Sequence, residues 1–313
     1  MKNKKLFIAG EYGFVGKNLS IHFESKGEYN LIHAAPDLDF RLQESVNSFI
    51  SNEKPEIIIL TAGKVGGILA NKKYPAEFLY DNLMIWNNII KAAAENNVSK
   101  LIFLGSATVY PKNAQIPFKE ECLLSGELEK NTEAYAIAKI TAIKLCEALY
   151  KAEKCNFIPL TLANLYGPLD HFNFEDSHLI PALISKIHKA KLENSDKVIL
   201  WGTGKPTRDL LYINDLIDAI EFILNNIEAS NIFEDNISHI NVGSGIEYSI
   251  LEIAETIKKI VNYNGEIIFD SNKPDGTMRK LLDVSRLAKL GWHAQTELAE
   301  GLQKTYNYFL TTI

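Results

Sequence analysis

The chain has 313 residues, enough for one large α/β domain or for two lobes sharing a cleft. Apolar residues make up 46% and charged residues 23%, an ordinary balance for a soluble globular protein. The net charge of −6 argues against a nucleic-acid or acidic-membrane surface as the main partner, and no apolar run approaches the roughly 20 residues that span a bilayer.

The opening stretch MKNKKLFIAG carries positive charge but moves straight into a strand and a glycine turn, so it is expected to begin the fold and not to be a signal peptide. Strands are expected at Lys5–Ala9, Tyr29–Ala34, Glu56–Thr61, Leu101–Gly105 and Phe157–Ala163, with helices at Phe14–Ser25, Gln43–Ser51, Pro75–Asn96 and Thr132–Lys151. Strand and helix patterns in alternation read as βαβ units around a buried parallel sheet. After this the pattern changes. Turn signals such as Trp201-Gly-Thr-Gly204 and Lys273-Pro-Asp-Gly276 break up shorter apolar stretches, and helices are expected at Ile180–Lys191, Asp215–Asn225, Ile250–Val261 and Glu297–Leu310. The expected fold is therefore a Rossmann-type doubly wound α/β domain over residues 1–165. A smaller α/β lobe follows over 166–313, some of whose segments return to the first. The three cysteines, Cys122, Cys146 and Cys155, form no metal or redox motif and fit reduced thiols in a cytoplasmic protein.

Strand Leu6–Ala9 runs into Gly10-Glu-Tyr-Gly13-Phe-Val-Gly16 and then a helix. Glycines in that context allow a tight turn and let backbone N–H groups approach a pyrophosphate at the positive end of the helix. A lone glycine triplet is a weak signal; at the first strand of a βαβ chain it is a strong one. Asp37-Leu-Asp39, after the second strand, is placed to meet the adenosine end. Further on, Tyr135-Ala-Ile-Ala-Lys139 lies on a helix, where a spacing of four puts both side chains on one face. A phenol with a pKa near 10 is a poor proton exchanger at neutral pH, and a neighbouring ammonium is expected to lower it. Tyr135 would then exchange a proton with a sugar or alcohol oxygen, Lys139 would also bond a cofactor ribose, and Ser106, ending a strand, would polarise a carbonyl that accepts hydride.

These residues resemble those of the extended short-chain dehydrogenase/reductases that act on nucleotide sugars. More narrowly, the chain is similar to the GDP-L-fucose synthases, the GDP-4-keto-6-deoxymannose 3,5-epimerase/4-reductases. The similarity covers nearly the whole chain. It is most specific in Lys64-Val-Gly-Gly-Ile-Leu-Ala-Asn71, Tyr135-Ala-Ile-Ala-Lys-Ile140, Ile143-Lys-Leu-Cys-Glu147, Asn164-Leu-Tyr-Gly-Pro168, Ser177-His-Leu-Ile-Pro-Ala-Leu183 and Lys273-Pro-Asp-Gly276. The resemblance implies NADP in the first lobe, held around Gly10, Tyr12, Gly13, Phe14, Val15 and Gly16, with Asp39, Leu104 and Gly105. It extends that set to Ala163, Asn164, Leu165 and His178, beside Tyr135 and Lys139. It implies Ser106, Tyr135 and Lys139 as the reductase triad and His178 as an acid/base group near the sugar. Asn164, Lys186, Trp201, Arg208, Asp275 and Lys280 fall where the family holds its GDP-sugar. Charged hydrogen bonds suit a pyrophosphate and flat side chains suit a base. Family members are usually dimers, which makes the helices at Pro75–Asn96 and Thr132–Lys151 candidate interface elements.

Two departures stand out. Where the family has Ser-Ser-Cys, this chain has Ser106-Ala107-Thr108. The cysteine is the partner acid/base for epimerising C3 and C5, and an alcohol is far less acidic than a thiol with a pKa near 8.5. Ser106 is thus kept for reduction while Thr108 removes the epimerase half. The family also carries arginines in the glycine turn and after the second strand that bind the 2′-phosphate of NADP. Tyr12 and His33-Ala-Ala-Pro36 stand there instead, and no acidic residue ends the second strand as in an NAD enzyme. NADPH remains the expected donor, with NAD not excluded and His33, Arg41 or a lysine as substitute clamp.

The expected function is an NADPH-dependent C4 reductase of a GDP-linked 4-keto hexose or heptose, feeding a surface polysaccharide, with little or no epimerase activity. A separate C3/C5 epimerase would then supply its substrate. The alternatives are the bifunctional synthase, an NAD-dependent 4-epimerase, and a non-catalytic dinucleotide sensor. A 4,6-dehydratase is disfavoured because Thr108-Val109 replace its Asp-Glu pair. Against a sensor stand Ser106, Tyr135 and Lys139, which a sensor has no reason to keep.

Overall fold

Unbroken apolar runs build the central sheet. In the computed structural model, which describes residues 3–172, 178–235, 237–273 and 275–313, the strands are β1 (Lys4–Ala9), β2 (Tyr29–Ile32), β3 (Ile57–Leu60), β4 (Lys100–Leu104), β5 (Phe157–Leu162), β6 (Asn164–Tyr166), β7 (Lys197–Trp201), β8 (Thr207–Tyr212), β9 (Ile240–Val242), β10 (Glu247–Ser249) and β11 (Glu266–Asp270). The helices are α1 (Phe14–Lys26), α2 (Gln43–Glu53), α3 (Ile68–Lys73), α4 (Pro75–Glu95), α5 (Glu133–Glu153), α6 (Leu179–Leu192), α7 (Ile213–Asn226), α8 (Ser230–Phe233), α9 (Ile250–Val261), α10 (Ser285–Lys289) and α11 (Leu298–Phe309).

The chain divides into two units: residues 1–114, 120–162 and 217–242 form the first, and 115–119, 163–216 and 243–313 the second. In the first, six strands pair in parallel in the order β2-β1-β3-β4-β5-β9. β3, β4 and β5 are buried along their whole length, because helices cover both faces of a parallel sheet and leave no solvated side to alternate toward. Pro159, which has no N–H for a ladder, lies just before the point where β9 begins to pair, at Leu160↔Ile240. The winding reverses between β1 and β3, so the carboxyl ends of these strands frame the crevice where such sheets bind ligands. In the second unit, β10-β8-β6 form one sheet, antiparallel then parallel, and β11 pairs with β7 in parallel. Helix α9 packs against both α6 and α11.

The five expected strands and four helices of the first half appear with ends shifted by at most two residues. The expectation for the second strand was longer than the structure gives: β2 stops at Ile32, and Pro36 follows shortly. The reading assigned neither α3, a six-residue helix after two glycines, nor the strands β6 to β11, of which three have only three residues. Residues 217–242 return to the first unit, where β9 completes the sheet. Among the described residues no helix is long and apolar enough to cross a membrane.

Candidate active site

The glycine turn is built as its spacing suggests. Gly10 has a left-handed φ of 99°, and a Cβ there would lie 2.5 Å from the Ala62 nitrogen. A Cβ on Gly16 would meet the Gly10 carbonyl oxygen at 2.1 Å, so α1 approaches the turn as closely as a backbone can. Gly13 is the N-cap of α1 and offers no side chain to its N–H groups. A helix N-terminus without a side-chain cap, over a glycine turn at the sheet's switch point, fits a dinucleotide pyrophosphate.

At the end of β4, Gly105 donates its N–H to the Leu160 carbonyl at 2.7 Å, and a Cβ there would lie 2.3 Å from the same oxygen. The chain then enters a 3₁₀ turn at residues 107–109 in which Ala107 and Val109 are buried while Ser106 and Thr108 stay half-buried. Ser106 Oγ accepts from the Thr108 N–H at 3.4 Å and from Thr108 Oγ1 at 3.2 Å. Both contacts use Ser106 as acceptor, which leaves its own O–H to donate to a carbonyl.

Helix α5 packs on this turn and carries Tyr135 and Lys139. The Tyr135 ring is set edge-to-face against Phe78 and Trp86, with centroids 6.1 and 6.0 Å away. Lys139 Nζ donates to the Leu104 carbonyl at 2.5 Å and lies 3.9 Å from the Trp86 ring centroid. Burial pushes the Tyr135 phenol well above its ordinary range and pulls Lys139 down to about 7. This corrects the expectation that the ammonium lowers the phenol. Nζ is drawn to a backbone carbonyl and an indole face, and desolvation outweighs any through-space charge effect on the ring.

The sequence reading missed two supporting residues. Trp86 underlies Lys139 and donates its indole N–H to the Ala62 carbonyl at 2.6 Å. Asn82, fully buried, accepts from the Lys64 N–H at 2.7 Å and donates to the Lys64 carbonyl at 2.9 Å, which pins the loop after β3. Their spacing of four on α4 was a legible hint that they share a face.

Where the adenosine end is expected, Glu11 reaches from the glycine turn to the end of β2. Its Oε1 accepts from the Ala34 N–H at 3.2 Å and its Oε2 is 2.6 Å from His33 Nδ1. The Tyr12 hydroxyl donates to the Ala34 carbonyl at 3.3 Å. Both oxygens of Asp39 bind Arg41, whose guanidinium also reaches Asp81 at 3.5 Å.

Ala163, Asn164, Leu165, His178, Lys186, Trp201, Arg208, Asp275 and Lys280 all belong to the second unit. His178 is exposed at the N-cap of α6, next to residues 173–177, which lie outside the described ones, as does Pro274 of the Lys273–Gly276 turn. Asn164 is exposed on β6 and Trp201 is 58% exposed on β7. Arg208 Nη1 donates to the carbonyls of Thr207 and Thr277 at 2.6 and 2.7 Å, which sets the direction of its fork. Asp275 accepts from the Thr203 N–H and hydroxyl, both at 2.8 Å, and so closes the turn after Trp201. Burial lowers the ammonium pKa of Lys186.

Residues 6–243 match the NAD dependent epimerase/dehydratase family. Over its whole length the chain is 44% identical to the GDP-L-fucose synthase of Sinorhizobium fredii, covering 98% of that protein. Among solved structures, a GDP-6-OMe-4-keto-L-xylo-heptose reductase from C. jejuni is 37% identical with a TM-score of 0.93, covering 100% of this chain and 99% of that one. The GDP-mannoheptose C4 reductase from Campylobacter jejuni, solved with NADP bound, is 37% identical with a TM-score of 0.89, and 99% of each chain is covered.

Proposed function

Because the chain belongs to the NAD dependent epimerase/dehydratase family and, within it, to the GDP-L-fucose synthase group, we propose that it is a nicotinamide-dependent C4 reductase of a GDP-linked 4-keto sugar that does not epimerise C3 or C5. A reduced nicotinamide dinucleotide is the proposed donor, as a solved relative has NADP bound. The observation that carries the reading is the assembly of Ser106, Tyr135 and Lys139 around the end of β4 in the unit that holds the glycine turn.

When bound, the reduced cofactor supplies hydride to the C4 carbonyl. Ser106 donates a hydrogen bond from its hydroxyl to the carbonyl oxygen and polarises it, keeping its own proton. Tyr135 gives its proton to that oxygen as alkoxide character develops. Burial holds the phenol in its protonated form, the form that carries the proton to be given. Lys139, its amine anchored on the Leu104 carbonyl, would hold the cofactor ribose. Arg208, Lys186 and Trp201 are the proposed contacts for the GDP moiety.

The bifunctional reading draws on the 44% identity to a fucose synthase. Against it stands Thr108, whose hydroxyl is hydrogen-bonded to Ser106 and is too weak an acid to serve as the second proton carrier. The test is deuterium uptake in D₂O with GDP-4-keto sugar and oxidised cofactor only, so that reduction cannot proceed. Uptake at C3 and C5 at the spontaneous rate supports the reductase reading; rapid uptake at both restores the bifunctional one. Gain of exchange in Thr108→Cys would identify the thiol as the missing part. Stoichiometric loss of reduced-nicotinamide absorbance on turnover separates a reductase from a 4-epimerase or a sensor.

A further inference from the structure

We propose that Glu11 sets the choice of dinucleotide, so that this chain binds NADH at least as tightly as NADPH. The inference rests on the reading of the first unit as a nicotinamide-dinucleotide site.

In βαβ dinucleotide folds the end of the second strand reads the adenosine ribose: an acid accepts from the 2′-hydroxyl, whereas an arginine accommodates a 2′-phosphate. β2 itself brings no acid to that place, since the first one after Ile32 is Asp37. The structure supplies the carboxylate from the other side. Glu11, inside the glycine turn, lies across the end of β2 with Oε1 on the Ala34 N–H and Oε2 on His33 Nδ1. It is largely buried and held at both oxygens, so it does not swing away when a ligand arrives.

The charges around it do not suit a phosphate dianion. Position 12 carries a tyrosine, tied by its hydroxyl to the Ala34 carbonyl. The guanidinium of Arg41 is taken up by Asp39 and Asp81. His33 is paired with Glu11, and even a protonated imidazole would only neutralise that one carboxylate. Glu11, Asp39, Asp81 and Glu77 against Arg41, Lys64, which pairs with both Asp81 and Glu77, and a charged His33 leave the group at −1, and at −2 with His33 neutral. A 2′-phosphate entering there meets net negative charge, while a ribose diol meets an acceptor.

The test is a fluorescence-quenching titration of the full chain with NADH and NADPH, which reads affinity without turnover. The expected result is a dissociation constant for NADH equal to or below that for NADPH. Glu11→Gln keeps an acceptor for the Ala34 N–H and removes the charge, and should tighten NADPH relative to NADH by about tenfold. Tyr12→Arg, at an exposed position, should shift the ratio the same way and serves if Glu11→Gln fails to fold. Tighter binding of NADPH by the unaltered chain, or a Glu11→Gln change that moves both dinucleotides equally, overturns the proposal and leaves the cofactor site standing. Binding of neither dinucleotide overturns both.

Discussion

Burial moves Tyr135 and Lys139 in opposite directions. The phenol is kept protonated and able to donate, while the amine titrates at about 7 because its ammonium is desolvated against Trp86 and the Leu104 carbonyl. Tyr135→Phe should therefore cut reduction by roughly 10²–10⁴-fold, the span for loss of a general acid, with little change in nucleotide affinity. Stopped-flow loss of reduced-nicotinamide absorbance measures this, and a wild-type rate would remove Tyr135 from the mechanism. At the proposed nucleotide-sugar contacts, Arg208 is oriented by two backbone carbonyls. Arg208→Ala should weaken GDP-sugar binding by roughly 1.5–3 kcal/mol, as for a charged hydrogen bond to phosphate. Calorimetric titration with unchanged affinity would make Arg208 a structural residue.

At the scale of elements, the strand–turn–helix from β1 to α1 depends on two backbone approaches that leave no room for a Cβ, at Gly10 and Gly16. Gly16→Ala would drive a Cβ into the Gly10 carbonyl oxygen and the Glu11 Cα, 2.1 and 2.7 Å away, and neither is the far end of a flexible side chain. The variant is expected to lose roughly 1–3 kcal/mol of stability, as overpacked sites do, and to bind dinucleotide more weakly as α1 is displaced. Gly27→Ala provides the comparison, because a Cβ there meets nothing within 4 Å and the cost comes only from its φ of 61°. Urea unfolding of the two variants checks this: equal losses would show that the close approach at Gly16 carries no special weight. The loop after β3 depends in the same way on Asn82, which holds the Lys64 backbone at both its N–H and its carbonyl.

For the whole molecule, the buried amine ties stability to pH. An unfolded Lys139 keeps its proton up to about 10.5, while the folded one loses it at about 7. Between these values the unfolded chain binds more protons, so folding becomes more favourable as pH rises, by up to about 1.4 kcal/mol per unit. Lys186, also lowered by burial, acts in the same direction. Above about 9 an unfolded Cys146 thiol ionises while the buried one, pushed up by desolvation, does not, and above about 10 the same holds for Tyr135, which together end the rise. Urea midpoints should therefore increase from pH 7 toward pH 9, and Lys139→Met should flatten that slope. The same slope in the variant would show that Lys139 is not the group responsible.

What the sequence by itself determined is what local spacing encodes. The apolar runs of β1, β3, β4 and β5, the glycine turn, and Tyr135 and Lys139 on one helical face were legible because each depends on neighbours within a turn or a pleat. The short strands of the second unit were not, since three residues carry no period. Tertiary structure alone decided that Glu11 meets Ala34, 23 positions away, that Lys139 settles on the Leu104 carbonyl, 35 positions away, and that β9 returns to extend a sheet begun at Lys4. Those contacts depend on which buried polar groups find partners once the elements pack, and satisfying a buried donor is a condition on the whole fold that no local pattern records.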